Sequence, residues 1–234
     1  MAWFQQITRR LQLLADPRCE LCLEPTPAHR FLCQHCDAAL PRYGQRCDCC
    51  ALPLPAGQSR CGRCLSRLPA YDRIHTPFLY RPPVSDLIKQ LKFGRRLHLA
   101  PLLGGLLAEY IETRLESLPD VLIPVPLHRR RLAERGFNQS QELARVLHRA
   151  LAVPLDSGRV IRRRHTEAQS GLKLEQRRRN LSGAFAVKDG TMPRHVLIVD
   201  DVVTSGFTVD TLARLLRRHG VQRIEVAALA RAER

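Results

Sequence analysis

The chain has 234 residues, of which 44% are apolar and 26% are charged. Lys and Arg outnumber Asp and Glu by 38 to 22, which gives a net charge of +16. This composition argues against a disordered chain, and no apolar run reaches the roughly 18 residues that a membrane-spanning helix needs. The excess charge is concentrated in residues 121–185, which hold 14 basic and 5 acidic residues. Such a block indicates an anionic partner, either a phosphorylated small molecule or a nucleic acid.

Residues 1–17 are predicted to form an amphipathic helix. Its apolar residues share one helical face: Trp3, Phe4, Ile7, Leu11 and Leu14. Such a face docks more often on a protein domain than on a membrane. The segment lacks the pattern of a secretory signal, so we expect a cytoplasmic protein.

Eight of the nine cysteines form four C-x-x-C pairs that repeat every fourteen residues. The predicted metal ligands are Cys19, Cys22, Cys33, Cys36, Cys47, Cys50, Cys61 and Cys64. Two C-x-x-C turns together supply the four thiolates of a tetrahedral zinc site, whereas disulfides are rare in the cytosol. The sequence therefore predicts a double zinc ribbon over residues 18–68 with two structural Zn²⁺ ions, each stabilising the fold by on the order of 10 kcal/mol.

The cysteine spacing leaves two points open. Sequential pairing of the C-x-x-C turns and a cross-braced arrangement use the same eight residues. Cys49 is left over, either as a spare thiol or as a competing ligand. We place the end of the ribbon near residue 70, because longer apolar segments begin after Leu65.

A strand, a loop and a helix are predicted in succession near the C-terminus. Residues 196–199 form an apolar strand, Asp200 and Asp201 follow, and a loop rich in hydroxyl groups opens an amphipathic helix that ends near Gly220. Residues 224–229 are a second buried strand, which completes a βαβ unit. Free N–H groups at the helix N-terminus favour an anion, whereas the adjacent carboxylates require a diol or Mg²⁺. A ribose 5-phosphate meets both demands.

This segment resembles the 5-phosphoribosyl-1-pyrophosphate (PRPP) signature of type I phosphoribosyltransferases. The resemblance implies that PRPP binds with Mg²⁺ and that Asp200 and Asp201 are catalytic carboxylates that hold the ribose hydroxyls. It assigns the 5-phosphate to Thr204, Ser205, Gly206, Phe207 and Thr208, with Phe207 standing where the signature usually has a small residue. The implied fold class is α/β, with a type I phosphoribosyltransferase-like parallel sheet flanked by helices over residues 71–234, behind the small double zinc ribbon.

Two basic segments resemble further parts of this fold. Residues 121–126 are an apolar strand, and the loop that follows resembles a pyrophosphate-binding loop. Its implied ligand-binding residues are Leu127, His128, Arg129, Arg130, Arg131 and Arg135. Residues 163–182 form a long polar loop that resembles the mobile loop that closes over pyrophosphate, or alternatively follows a nucleic-acid backbone. The residues assigned to this mobile loop are Arg164, Thr166, Gln169, Arg177 and Asn180.

Three short motifs are similar to the ComF family. These are Pro-Val-Pro at 124–126, Arg-Gly-Phe-Asn-Gln at 135–139 and Leu-Lys-Phe-Gly at 91–94. With the zinc ribbon, the resemblance covers essentially the whole chain. It implies a role in the uptake or use of external DNA, with single-stranded DNA and competence or DNA-uptake proteins as partners.

Two functions remain open at this point. The chain is either a phosphoribosyltransferase with an unidentified acceptor, or a non-catalytic module that binds single-stranded DNA and keeps the PRPP site as a vestige or a sensor.

Overall fold

The computed structural model describes residues 17–27, 30–163, 183–188 and 190–233. The chain divides into two compact units, Met1–Pro41 and Arg42–Arg234. The amphipathic face predicted for the N-terminal helix lies outside the described residues. No helix in the described part of the chain is long and apolar enough to cross a membrane.

The first unit is a small cysteine-rich ribbon. An antiparallel bridge joins Arg18 to Pro25, and a short helix, α1, spans Gln34–Ala38. The same bridge recurs 28 positions later in the second unit, between Arg46 and Pro53. The fourteen-residue period of the C-x-x-C pairs therefore corresponds to two copies of one ribbon, each using two pairs.

The second unit is an α/β fold. Its strands are β1 Arg73–His75, β2 Phe78–Leu79, β3 Val121–Pro124, β4 Val160–Arg162, β5 Phe185–Val187, β6 His195–Val203 and β7 Arg223–Arg231. Its helices are α2 Gly62–Ser66, α3 Val84–Phe93, α4 Leu99–Glu112, α5 Arg129–Arg135, α6 Gln139–Leu151 and α7 Phe207–Arg218. Helices separate β2 from β3, β3 from β4 and β6 from β7 along the chain, as expected for a parallel sheet.

The central sheet has the strand order β1–β7–β6–β3, with β2 also paired to β7, and all of these pairings are parallel. Ile198 of β6 lies opposite Ile123 of β3 and Val226 of β7. β4 and β5 form a separate antiparallel pair. Since the central strands are parallel, the carboxyl ends of β3, β6 and β7 lie at one edge, where open α/β sheets bind ligands.

β6 is longer than the sequence predicts. It runs through the acidic pair to Val203, because Val202 and Val203 still pair with Ala230 and Arg231 of β7. The predicted strand end at residue 199 is therefore four residues early, and the acidic pair belongs to the strand itself.

Helices α4 and α6 pack against each other and cover one side of the sheet. The buried face of α4 includes Leu99, Leu103, Leu107 and Ile111. At the crossing, a Cβ atom on Gly104 would lie 2.6 Å from the Cβ of Val146. Glycine is required here because no real Cβ contact is that short, and the close approach brings α6 over the ends of β3 and β6.

The other side of the sheet is covered by α7 and by the second ribbon. One apolar cluster contains Leu212 and Leu216 of α7 together with Cys50, Cys61 and Cys64. The second set of cysteines therefore belongs to the core of the larger unit.

A buried polar network lies toward the amino ends of β6 and β7. Glu225 accepts hydrogen bonds from Nε2 of His75 (2.9 Å), from Nε2 of His195 (2.8 Å) and from Nε of Arg223 (3.1 Å). Burial opposes ionisation of this carboxyl group, but His75, with Arg223 and His195, outweighs it and lowers the pKa of Glu225 to about 2. The network joins β1, β6 and β7 through one ionised carboxylate.

Candidate PRPP-binding site

The acidic pair lies at the carboxyl edge of the sheet and is buried. Asp200 is 9% exposed and Asp201 is 4% exposed. Oγ of Ser140 donates to Oδ1 of Asp200 over 3.0 Å, and the backbone N–H of Asp201 donates to the same atom over 2.9 Å. Nε2 of Gln139 donates to Oδ1 of Asp201 over 3.4 Å, and Lys92 forms an ion pair with Oδ2. The pair is thus held by residues from two helices that cover this edge.

Local sequence explains how Gln139 and Ser140 reach the acidic pair. Asn138 is the N-cap of α6, and its side chain accepts a hydrogen bond from the Ser140 N–H over 3.1 Å. Its amide Nδ2 also donates to the carbonyl of Val125, just beyond β3, over 3.0 Å. These two bonds fix the first turn of α6 against β3, so its first two side chains face the end of β6.

The negative charge of the pair is only partly compensated. Burial and the charge of Asp201 raise the pKa of Asp200 from 3.8 to about 7, although Lys92 and the hydrogen bond from Ser140 act in the opposite direction. Two adjacent carboxylates share one ammonium group here. A ligand that donates hydroxyl groups to both carboxylates would relieve the penalty, and perturbed carboxyl groups of this kind cluster at functional sites.

The predicted phosphate-binding residues form the turn between β6 and α7. Gly206 is the N-cap of α7 with a φ of +77°, a left-handed conformation that favours glycine. The backbone N–H of Phe207 donates to Oγ of Ser205 over 3.4 Å. Thr204 is exposed and Thr208 is half-buried. The turn therefore places hydroxyl groups beside the first N–H groups of a helix, an arrangement that binds anions.

Phe207 does not obstruct this turn. Its half-buried ring packs against the apolar cluster that lies under α7. The departure from a small residue is thus accommodated in the core of the unit.

The residues of the predicted pyrophosphate loop separate into three groups. Leu127, His128 and Arg129 line a cavity of about 450 Å³. Arg135 instead faces the acidic pair: its Nη1 donates to Oε1 of Gln139 over 2.5 Å, and its guanidinium lies 5.1 Å from the centre of the exposed Phe93 ring.

The remaining two arginines of the predicted loop, Arg130 and Arg131, lie in the first turn of α5. The N-cap of this helix is His128, whose Nδ1 accepts from the Arg130 N–H over 3.3 Å. Neither arginine lines the cavity.

The cavity itself is strongly basic. Its charged lining residues are Arg129, Arg162, Arg163 and Lys188, and no carboxylate of the described residues lines it. β4 and β5 form one wall through residues Val160–Arg162 and through Lys188, which follows β5. The five residues assigned to the mobile loop, Arg164, Thr166, Gln169, Arg177 and Asn180, lie outside the described residues.

The eight predicted metal ligands form two groups of four sulfur atoms. One group is Cys19, Cys22, Cys33 and Cys36, and the other is Cys47, Cys50, Cys61 and Cys64. The pairing is therefore sequential and not cross-braced. Within each group, the sulfur atoms lie within 4.8 Å of one another.

Both groups fit a tetrahedral zinc ion. The Sγ atoms of Cys22 and Cys33 are 3.7 Å apart, and those of Cys50 and Cys61 are 3.6 Å apart. Zn–S bonds of about 2.3 Å in a tetrahedron give a sulfur separation of about 3.8 Å. Cys49 belongs to neither group, and burial raises the pKa of its thiol to about 11. The fit favours two closed structural sites.

Sequence reasoning did not assign a role to Lys92, Gln139 or Ser140, although all three contact the acidic pair. Gln139 and Lys92 lie within two of the short motifs, at 135–139 and 91–94, but these motifs do not indicate what either side chain contacts. Ser140 lies two residues after an Asn N-cap, which indicates that it belongs to the first turn of a helix. Its contact with Asp200 depends on the strand order, which the sequence does not specify.

The comparisons with known proteins agree with this architecture. A family model for the phosphoribosyl transferase domain matches residues 99–234, and one for the double zinc ribbon domain matches residues 10–65. The DNA utilization protein YhgH of Escherichia coli (strain K12) is 44% identical over 165 residues, covering 69% of this chain and 73% of that protein. Competence protein F of Haemophilus influenzae is 40% identical over 160 residues, covering 65% and 70%.

A solved structure is also similar to this chain. Purine phosphoribosyltransferase from Pyrococcus horikoshii Ot3 aligns with a TM-score of 0.35 and 19% identity, over 56% of this chain and 71% of that chain. The two domain matches, with the parallel sheet and the cysteine groups, confirm the predicted α/β fold class and the double zinc ribbon. The chain belongs to the ComF family of DNA utilization and competence proteins, with a double zinc ribbon domain and a phosphoribosyl transferase domain.

Proposed function

We propose that this protein binds PRPP with Mg²⁺ at the carboxyl edge of its sheet and acts in the cytoplasmic handling of external DNA. The observation that carries the proposal is the buried acidic pair, which lies in the strand that leads directly into the anion-binding turn at the start of α7. A ribose 5-phosphate offers its hydroxyl groups to the acidic pair and its phosphate to the turn. The names of the relatives, which refer to DNA utilization and competence, support the cellular role.

In the enzymatic form of the proposal, a nucleophile of the acceptor attacks C1 of the ribose. The bond from C1 to the diphosphate oxygen breaks, and the diphosphate leaves with the bonding electron pair. Asp200 and Asp201 orient the sugar by accepting from its hydroxyl groups, and residues 204–208 hold the 5-phosphate. Arg129 and Arg135 lie on the side of β3, where they neutralise the charge of the leaving group. When bound, Mg²⁺ adds positive charge at the diphosphate.

A second function, binding of single-stranded DNA, is favoured by a separate observation. The basic cavity beside α5 holds four cationic side chains and is distinct from the turn that receives the 5-phosphate. A phosphate backbone supplies repeated negative charges to such a surface and releases counterions on binding. In this alternative, the PRPP site is a sensor or a vestige.

One pair of variants separates the two sites. Asp200→Asn combined with Asp201→Asn removes both carboxylate acceptors while keeping the shape of the side chains, and we expect PRPP affinity to fall at least about 100-fold. Binding of a single-stranded oligonucleotide, measured by fluorescence anisotropy, should stay near wild type. The matched control is Asp86→Asn, which removes one exposed carboxylate of α3. Loss of both ligands in a folded protein would contradict separate sites.

The DNA surface is tested by its salt dependence. Arg129→Ala with Arg163→Ala removes two of the cationic side chains that line the cavity. The double variant should reduce the slope of log affinity against log salt by about 2, since each lost phosphate contact changes it by about 1. An unchanged slope would place the DNA contacts away from this cavity.

A further inference from the structure

The turn that connects β6 to α7, here called the phosphate loop (residues 204–208), is linked to the second cysteine group. Arg63 lies in α2, between the ligands Cys61 and Cys64. Its Nη1 donates to the carbonyl oxygen of Ser205 over 2.6 Å. Its Nη2 lies 3.6 Å from the position that a Cβ atom would take on Gly206. A side chain from within a C-x-x-C turn thus contacts the centre of the phosphate loop.

A second arginine makes the same connection from inside the protein. Arg231, the last residue of β7, is 1% exposed. Its Nε donates to the carbonyl of Cys50 over 3.0 Å, and its Nη1 donates to the carbonyls of Val203 (3.0 Å) and Thr204. No carboxylate of the described residues forms an ion pair with it. A buried guanidinium that is neutralised by carbonyl dipoles alone requires those carbonyls to stay in place.

These bonds fix the direction of the peptide groups in the phosphate loop. The carbonyls of Val203, Thr204 and Ser205 all point toward the two arginines. In a planar trans peptide, the N–H group points opposite to the carbonyl of the same peptide. The N–H groups of residues 204, 205 and 206 are therefore directed away from the arginines, where an anion on that side of the loop would accept hydrogen bonds from them. A flipped peptide would direct a carbonyl oxygen at the phosphate and repel it.

We infer that the second cysteine group, when it holds its metal ion, sets the anion affinity of the phosphate loop through Arg63 and Arg231. The ion fixes the turn that carries the Cys50 carbonyl and the helix that carries Arg63, and the two arginines transmit this order to the loop. Both are positioning residues, because they act on the loop carbonyls and not on the ligand. The inference rests on the proposed phosphate site. It gives the second zinc ion a role in ligand binding besides that of holding its own ribbon.

The test compares Arg63→Gln with Arg67→Gln in the full-length, zinc-loaded protein. Both residues line the same cavity of about 260 Å³ beside the phosphate loop, but of these two arginines only Arg63 has a described hydrogen bond to a loop carbonyl. Each variant removes the same charge from the same place. Titration calorimetry with ribose 5-phosphate should show a dissociation constant about tenfold larger for Arg63→Gln, because one charge-assisted hydrogen bond is lost. For Arg67→Gln the dissociation constant should change by less than about threefold.

Measurements of metal content and thermal midpoint distinguish a positioning role of Arg63 from an effect on folding. Arg63→Gln should keep two zinc ions per chain and a thermal midpoint close to wild type, while Arg63→Lys should recover part of the affinity. Cys64→Ser and Cys36→Ser should each lose one zinc ion, and only Cys64→Ser should weaken ribose 5-phosphate binding. Wild-type affinity in zinc-loaded Arg63→Gln, or equal losses in Arg63→Gln and Arg67→Gln, would overturn the inference.

Amide hydrogen exchange tests the inference without any ligand. The N–H groups of residues 204–206 should exchange faster in Arg63→Gln than in wild type, and faster in wild type after the second zinc ion is removed. If wild type fails to bind ribose 5-phosphate but these exchange rates rise, the proposed function fails while the link to the cysteine group stands. If the exchange rates do not change, the link itself is contradicted.

Discussion

The two ends of the central sheet each bury a carboxylate, and their environments are opposite. Toward the amino end, Glu225 receives hydrogen bonds from His75, His195 and Arg223, and its pKa falls to about 2. At the carboxyl end, burial and a second carboxylate raise the pKa of Asp200 to about 7. The side chains that surround the first group stabilise its charge. Those around the second compensate its charge only in part.

This difference indicates which end is structural and which is functional. A carboxylate whose partners are supplied by the protein strengthens the fold, and nothing further is needed to balance it. A buried pair of carboxylates with one ammonium group weakens the fold, and a ligand that donates to both can recover the lost free energy. We therefore assign to the amino end the role of holding strands together, and to the carboxyl end the proposed ligand.

The largest predicted effect is at the amino end. Glu225→Gln removes the charge that His75, His195 and Arg223 share, and we expect the free energy of unfolding at pH 7 to fall by about 3 kcal/mol. Because the folded pKa lies below the usual value of 4.5, this stability is present above pH 4.5 and is lost as the pH falls toward 2. Urea denaturation across that range measures it.

The control for this variant is Glu116→Gln, which removes an exposed partner of Arg223. Its effect should stay below about 1 kcal/mol, as for other exposed ion pairs. Equal effects of the two variants would show that Glu225 is not the centre of the network.

The effect at the carboxyl end has the opposite sign. The raised pKa of Asp200 means that the folded protein holds the proton of this carboxyl group more tightly than the unfolded chain does. The stability of the wild type therefore falls as the pH rises from 3.8 to about 7, and Asp200→Asn removes this loss. The variant should be more stable than wild type at pH 8, by on the order of 1–2 kcal/mol, and nearly equal to it at pH 4. Thermal unfolding at the two pH values checks this. A variant that is less stable at pH 8 would contradict the account.

The smallest predicted effect concerns Ser140. Ser140→Ala removes one hydrogen bond to Oδ1 of Asp200, and we expect a loss of about 1 kcal/mol at pH 8. At pH 4 the loss should be smaller, because a neutral carboxyl group accepts a weaker hydrogen bond than a carboxylate. Denaturation curves at both pH values measure the difference. Equal losses would mean that the hydroxyl group does not act on the charge of Asp200.

Features that are local in the sequence could be predicted. The order of strand, acidic pair, small polar turn and helix lies within about twenty residues. It predicted the βαβ unit, which the structure confirms, and a ribose-phosphate ligand, which stays a prediction. The cysteine period likewise predicted two groups of four thiols. The choice between sequential and cross-braced pairing needed the positions of the sulfur atoms in the fold.

Contacts that depend on strand order could not be predicted. Arg231 reaches the carbonyl of Cys50 across 181 positions, and His75 reaches Glu225 across 150. Nothing in the local pattern of Lys92 distinguishes it from a solvated residue at the end of a helix, yet it pairs with Asp201. Such roles are set by the register of β1, β6 and β7 and by the packing of α3, which the hydrophobic pattern alone does not specify.

The most direct measurement is titration calorimetry of the zinc-loaded protein with PRPP and Mg²⁺ at pH 7, in two buffers that differ in ionisation enthalpy. We predict micromolar binding with release of up to about half a proton per ligand, because ribose hydroxyl groups bind the ionised form of Asp200 and its pKa is about 7. Asp200→Asn should lose this proton release and most of the affinity, while Glu225→Gln should keep both. Absence of heat in a folded sample, or identical titrations of wild type and Asp200→Asn, would contradict a ribose-phosphate site at this edge of the sheet.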